Sequence, residues 1–245
     1  MTLQGRTALV TGAGRGIGRA LAIGLGELGA NLVLVARSKD ELDATAALVA
    51  TSARVITADL GDLAQVAAVA DQAGAVDVLI NNAAVPWPAG ATAKVDPAEY
   101  AAAVALNVTG VVAMTIGVLP GMLERGWGRI VSLSSGVTRN PGFMIGGNAY
   151  VTTKTAVEGH SLNLAAELAG SGVTVNIYQP GTVDTSMQTW VREEGSSHMS
   201  AEAKAYFTDV HARGALLTPE HSASRLIDRL ATEDTGQIWS VGDPK

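Results

Sequence analysis

The chain of 245 residues contains no cysteine. A disulfide framework, a thiolate-ligated zinc and a thiol nucleophile are therefore excluded together. Histidine is scarce. His160, His198, His211 and His221 are scattered without metal-ligand spacing, each reads as a surface or internally satisfied residue, and no metal is expected. A basic excess is missing as well. The formal net charge is −6, whereas nucleic-acid binders carry positive charge, so nucleic acid is not an expected partner. The opening Thr2-Leu3-Gln4-Gly5 has neither a basic stretch nor a following apolar one, and no signal peptide is expected. The most membrane-like run, Ala101 to Leu119, is interrupted by Asn107, Thr109, Gly110, Thr115 and Gly117 and followed by Pro120. It reads as a buried helix rather than a membrane span, and the expected compartment is the cytoplasm.

What is abundant points to a packed α/β domain. Hydrophobic residues make up 47% and glycine accounts for 28 positions, which suits a large core and close helix-on-sheet contacts. Short apolar runs at Thr7–Val10, Asn31–Ala36, Arg54–Thr57, Val76–Ile80, Arg129–Leu133, Val173–Tyr178 and Gln237–Val241 read as strands. Helical patterns at Leu21–Leu28, Leu63–Gln72, Pro97–Glu124, Ala149–Ala169 and Glu220–Leu230 separate most of them. Alternating strands and helices predict a single doubly wound Rossmann-type domain over residues 1–245. Its seven-stranded parallel sheet would carry helices on both faces. Residues 186–218 are more polar and weakly periodic. They read either as a binding loop or as a helical excursion.

After the first strand comes Thr11-Gly12-Ala13-Gly14-Arg15-Gly16-Ile17-Gly18, which opens the first helix. Glycines at such a turn allow backbone to approach a pyrophosphate, and the helix N-terminus offers free N–H groups and a favourable dipole. The spacing is G-x-x-x-G-x-G rather than G-x-G-x-x-G, so its place between strand and helix carries the argument. Ala36-Arg37-Ser38 ends the second strand, where a carboxylate would read a ribose 2′-hydroxyl. Arg37, with Arg15 from the glycine turn, instead suits a 2′-phosphate, which favours NADP(H) over NAD(H). Either arginine alone would read as a solvated surface charge.

Tyr150 and Lys154 are spaced i, i+4 at the start of a predicted helix, which stacks them on one face. A nearby ammonium favours phenolate and lowers the tyrosine pKa toward the range useful for proton transfer. Such pairs are common and carry little weight alone. Here Ser134-Ser135 closes the fifth strand, and Asn107 is a polar residue inside an apolar helix. A helix-packing hydrogen bond would account for Asn107 equally well.

With these residues the chain resembles the short-chain dehydrogenase/reductase family, in its ketoreductase and 3-oxoacyl-reductase branch, along nearly its whole length. The matching landmarks are Thr11-Gly12-x-x-x-Gly16-Ile17-Gly18, Asp59-Leu60, Asn81-Asn82-Ala83, Asn107, Ser135, Tyr150-x-x-x-Lys154 and Pro180-Gly181-x-x-x-Thr185. The resemblance implies that Tyr150 is general acid in reduction and base in oxidation. It implies that Lys154 tunes the tyrosine and holds the nicotinamide ribose, and that Ser135, with Ser134 as alternative, bonds the substrate oxygen. Asn107 would bend its helix and hold a water leading protons toward Lys154. Asp59 and Leu60 would border the adenine, Asn81 and its neighbours Asn82 and Ala83 line the ribose, and Thr185 with the backbone of Gly181 and Val183 after Pro180 hold the carboxamide. A homotetramer is implied too, and it agrees with helices at Ala101–Leu119 and Ala149–Ala169 that are apolar on more than one face.

Three departures stand out. Ala84 occupies a position where glycine usually follows Ala83, and the stretch from Ser135 to Tyr150 is longer than usual. Gly126 and Ser171 also stand where carrier-dependent ketoacyl reductases have basic residues. Pro86, Trp87, Phe143, Met144, Ile145, Met187 and Trp190 are the candidate substrate walls. Their apolar character predicts reversible reduction of an apolar or aryl ketone to a secondary alcohol. A 3-oxoacyl thioester, an imine or an enone as substrate, and a non-catalytic NADP(H)-binding sensor, remain the other readings.

Overall fold

The computed structural model describes residues 2–244. Its strands are β1 (Thr7–Thr11), β2 (Asn31–Ala36), β3 (Ala53–Thr57), β4 (Val78–Asn81), β5 (Gly128–Leu133), β6 (Val173–Gln179) and β7 (Ile238–Ser240). Between and after them run α1 (Gly16–Glu27), α2 (Lys39–Ala46), α3 (Leu63–Ala73), α4 (Pro97–Val104), α5 (Gly110–Glu124), α6 (Asn148–Glu167), α7 (Ser186–Glu193), α8 (Ala201–Ala212) and α9 (Pro219–Arg229). All strand pairs are parallel, in the order β3-β2-β1-β4-β5-β6-β7. The predicted seven-stranded Rossmann-type sheet is what forms.

The two-residue period of a strand explains the layers. Ala8, Val10, Leu32, Leu34, Val78 and Ile80 point to one face, where they pack with Leu21 and Leu25 of α1 and Leu226 of α9. Leu9, Val33, Val35 and Leu79 point to the other, against Val66 of α3, Met114 of α5 and Leu164 of α6. With side chains buried on both faces, the strands carry nearly continuous apolar runs, as a parallel sheet requires. Strand order reverses between β1 and β4, and the loops leaving these neighbours turn to opposite faces. A crevice opens between them.

The structure differs from the expectations in several places. Helix α1 begins at Gly16, not Leu21, because the glycine run hides its first turn from a hydrophobic-periodicity reading. Helix α2 was not anticipated. It is polar, and its start is marked by Ser38, whose side chain accepts from the Glu41 N–H. The long apolar helix is broken by a π turn over Ala105–Thr109, between α4 and α5. Residues 186–218 form α7, a short 3₁₀ turn (Gly195–His198) and α8. A bridge between Val183 and Leu217 closes their base, so the segment is helical, and residues of α7 line the cleft.

At the amino ends of the central strands, opposite the crevice, the Asp77 carboxylate accepts from the Thr7 N–H at 2.9 Å. It also pairs with Arg6 at 3.1 Å and Arg125 at 3.5 Å. One buried carboxylate therefore ties β1, β4 and the end of α5 together. Asp77→Ala is expected to lower unfolding free energy by about 2–3 kcal/mol, the usual range for charge-assisted bonds lost from a buried site. Urea denaturation measures it, and a loss below about 0.5 kcal/mol would mean that neighbouring groups replace the carboxylate.

Candidate active site

The crevice at the β1/β4 reversal is a cleft of about 680 Å³. Its floor is a clasp between the two strand ends. Thr11 Oγ1 accepts from the backbone N–H groups of Asn82 at 2.9 Å and Ala83 at 3.1 Å. The Asn82 amide donates back to the carbonyl oxygens of Thr11 at 2.8 Å and Gly12 at 3.3 Å. Gly12 can sit here because its φ of 65° lies in the left-handed region and a Cβ would stand 2.8 Å from the Asn82 amide nitrogen.

Above this floor the N-terminus of α1 is open. Arg15, its N-cap residue, makes no side-chain capping bond. By contrast Ser38, Asp62, Asp96, Thr185, Ser200 and Thr218 each cap their own helix. Free N–H groups at a glycine-lined helix start suit a pyrophosphate, so the residues present fit a dinucleotide. Gly12, Arg15, Gly16, Ile17, Arg37, Asp59, Leu60, Ala83, Tyr150, Lys154, Pro180 and Thr185 all line the cleft.

Four of the expected cofactor residues do not line it. Gly18 is a packing residue: a Cβ there would lie 2.2 Å from the Gly12 carbonyl oxygen. Asn81 shares the parity of Leu79, so it points toward α5 and bonds Thr115 at 3.3 Å and Ser132 at 3.5 Å. Its neighbour Asn82 takes the cleft position. Gly181 lies against Leu217 and Val241, and Val183 is buried in its bridge to Leu217. The end of β2 carries no carboxylate, but one reaches the cleft from the next helix. Glu41, on the unanticipated α2, lines the cleft and pairs with Arg15 at 3.4 Å. Arg37 is left exposed with no ion pair among the described residues.

At the other end of the cleft, helix α6 brings Tyr150 and Lys154 onto one face. Burial pushes the Tyr150 phenol up to about 12, and a hydrogen bond from Ser135 offsets part of the rise. The lowering expected from Lys154 is not found: burial and the Ser135 hydrogen bond are what act on the phenol. The Lys154 ammonium sits 5.7 Å from the phenol ring centre and donates to the Leu133 carbonyl oxygen at 2.7 Å. Its own buried position pulls it down to about 8, against the pull of Glu158 in the other direction. Ser135 faces Tyr150, whereas the Ser134 hydroxyl is engaged by Glu158 at 2.6 Å. Asn107, on the π turn, holds the Val85 N–H and carbonyl at 2.8 Å each and donates to Thr153 at 3.1 Å. It thereby fixes the loop after β4 against α6.

The substrate end is walled by Pro86, Trp87, Met187 and Trp190, with Glu193 and Glu194 at its margin. The Trp87 and Trp190 rings lie 6.0 Å apart. Phe143, Met144 and Ile145 do not reach this wall. Met144 is buried with Val191, Ala203 and Phe207, Phe143 meets Tyr206 edge-on at 5.3 Å, and Ile145 is 65% exposed. The long stretch before Tyr150 thus forms a seat for α7 and α8. Glu41, Glu158 and Glu193 are cleft or near-cleft residues that the motifs did not single out. Only Glu158, one helical turn beyond Lys154, was marked by a spacing that could have revealed it.

Comparison with known proteins gives this geometry its context. A family model described as short chain dehydrogenase matches residues 6–196. A protein of Streptomyces coelicolor named as a ketoacyl reductase is 38% identical over 223 residues, covering 86% of this chain and 84% of that one. A crystal structure of a variant actinorhodin polyketide ketoreductase with NADPH superposes with a TM-score of 0.84 at 33% identity, over 96% of this chain and 95% of that one. Another, of a Beutenbergia cavernae protein named as an NAD(P)-dependent gluconate 5-dehydrogenase and carrying NADP at low occupancy, gives 0.85 at 33% identity, over 98% and 96%. The chain belongs to the short chain dehydrogenase family.

Proposed function

We propose that this protein uses NADPH to reduce a ketone, apolar or aryl in character, to a secondary alcohol. The observation that carries the reading is Tyr150, set at the inner end of the cleft with Ser135 on its phenol and Lys154 one turn along the helix. When bound, the nicotinamide supplies the hydride. The chain supplies position and a proton. A substrate carbonyl oxygen in the cleft would accept from the Tyr150 phenol, stabilising the charge that develops on it, while Ser135 lies outside the cleft lining and acts through its hydrogen bond to that phenol. With its pKa near 12, Tyr150 is protonated at neutral pH and so is ready to donate, which suits reduction; the reverse reaction needs it deprotonated. Lys154, Pro180 and Thr185, at the Tyr150 end of the cleft, would hold the nicotinamide part, and the uncapped start of α1 would receive the pyrophosphate. Arg37 is free to pair with a 2′-phosphate, and Arg15 is shared with Glu41. The NADP and NADPH held by the two similar structures support the same choice.

A second reading has nearly equal support. The S. coelicolor relative is named as a ketoacyl reductase, and 3-oxoacyl-[acyl-carrier-protein] reductases are among the similar proteins. A 3-oxoacyl thioester would place its ketone at the same Tyr150. The exposed Glu193 and Glu194 at the margin disfavour an acidic carrier there. We further place the protein in the cytoplasm as a homotetramer. Helices α5 and α6 leave Ile116, Leu123 and Leu162 exposed at 64%, 41% and 38%, a surface suited to a second copy. Light scattering is expected to give four chain masses, and a monomer would remove this part of the reading.

Oxidation of NADPH at 340 nm against aryl ketones, alkyl ketones and 3-oxoacyl thioesters separates the substrate classes. Turnover is expected with ketones. It should fall by about 10²-fold or more in Tyr150→Phe, while NADPH binding persists. A preference for the thioester would select the second reading. Binding without turnover would favour a sensor, and turnover confined to imines or enones a different electrophile. Arg37→Glu should cost about tenfold or more in NADPH affinity and leave NADH nearly unaffected, as titration of cofactor fluorescence would show. Equal losses for both cofactors would place the phosphate contact elsewhere.

A further inference from the structure

Glu158 lies outside the cleft lining, yet the residues around Tyr150 converge on it. Its Oε1 accepts three hydrogen bonds: from the Ser134 hydroxyl at 2.6 Å, the Thr138 hydroxyl at 2.9 Å and the Gln179 amide at 2.9 Å. Ser134 and Thr138 bracket the short turn that starts at Ser135, and the single Thr138 hydroxyl proton is shared between Glu158 and the Ser135 carbonyl oxygen, also at 2.9 Å. On its own helix Glu158 follows Lys154 by four residues, as Lys154 follows Tyr150. The three side chains therefore form one stripe down α6. That stripe grips the end of β5 at consecutive residues, Lys154 at the Leu133 carbonyl and Glu158 at the Ser134 hydroxyl.

We propose that Glu158 is a positioning residue that controls both partners of Tyr150, clasping the turn that presents Ser135 and providing the counter-charge for Lys154. The proposal rests on the reading of Tyr150 as the acid. A carboxylate oxygen with three donors is held in one place, and both ends of the Ser135 turn are held with it. The groups facing it from β5, from the turn and from β6 are Ser134, Thr138 and Gln179, none of them charged. Lys154 is the cation whose proton it favours, against the desolvation that opposes it.

Each half has its own test. Glu158→Gln keeps the acceptor oxygen and removes the charge. In the wild-type enzyme the reductase rate is expected to fall as pH rises through about 8, where Lys154 loses its proton. In Glu158→Gln this limb should move to lower pH by about half a unit or more. A readout that needs no turnover follows from linkage. Lys154 holds its proton less tightly when folded, with a pKa of about 8 against an ordinary 10.5. Its contribution to stability is thus present above 10.5 and is lost as pH falls through about 8. The start of that rise in urea stability should move to lower pH in the variant. Thr138→Val opens the clasp without touching the charge. It should lower kcat/KM for the ketone about tenfold with the pH limb and NADPH affinity unchanged. An unmoved limb in folded Glu158→Gln, or unchanged ketone kinetics in Thr138→Val, overturns the proposal. Should Glu158→Gln fail to fold, Thr138→Val still decides the clasp. If the wild-type protein turns over no ketone, the functional reading fails instead, and the stability profile still tests Glu158 against Lys154.

Discussion

The clasp between Thr11 and Asn82 is the constraint on which the cleft depends. Parallel neighbours such as β1 and β4 run side by side, but their continuing chains must part to reach opposite faces of the sheet. Parting strands expose backbone N–H and carbonyl groups that would otherwise need water. Thr11 and Asn82 satisfy these groups across the gap. The crevice can then stay open without leaving its floor unsatisfied. The glycine turn above it inherits a fixed base, and the start of α1 is aimed at the space between the loops.

Helix α6 does for the reacting end what the clasp does for the other. Its apolar residues pack against β5 and β6, which keeps Lys154 buried and Tyr150 partly buried at the cleft wall. Burial disfavours both charged forms, so the phenol holds its proton more tightly and the ammonium less tightly than in water. These shifts run opposite to a simple ammonium–phenolate pairing. In the protein alone the two groups sit further from ionising each other than their spacing suggests. Added charge near the ribose end of the cleft would bear directly on that balance.

Much of this was readable from the sequence because the relevant signals are local. β-branched runs mark the strands, and glycines mark the first turn. The four-residue step from Tyr150 to Lys154 is set by helix geometry alone. What was not readable depends on which way a side chain turns or on what distant segments do. Asn81 and Asn82 are chemically identical, and only strand parity sends one to α5 and the other to the cleft. Helix α2 is too polar and short to show an apolar face, so Glu41 escaped notice beside Arg15. Phe143, Met144 and Ile145 are apolar and close to Tyr150 in sequence, but α7 and α8 cover the first two and Ile145 faces solvent. No local pattern announces a partner some fifty residues away.

The π turn at Ala105–Thr109 sets a rule for how this chain can change length. A π turn holds one more residue than the α-helical turn it replaces. Deleting a single residue there would restore a regular helix, turning α4 by about 100° and drawing it about 1.5 Å along the axis. Tyr100, which now meets Asn148 at 3.2 Å, would swing away from α6. Asn107 would lose its hold on Val85. Substitution in this segment changes chemistry one residue at a time, whereas a one-residue deletion re-indexes a whole helix. Among descendants of this sequence, side chains on the exposed face of 97–124 can drift with the cleft intact, whereas drift in residue count displaces Asn107 and everything before it.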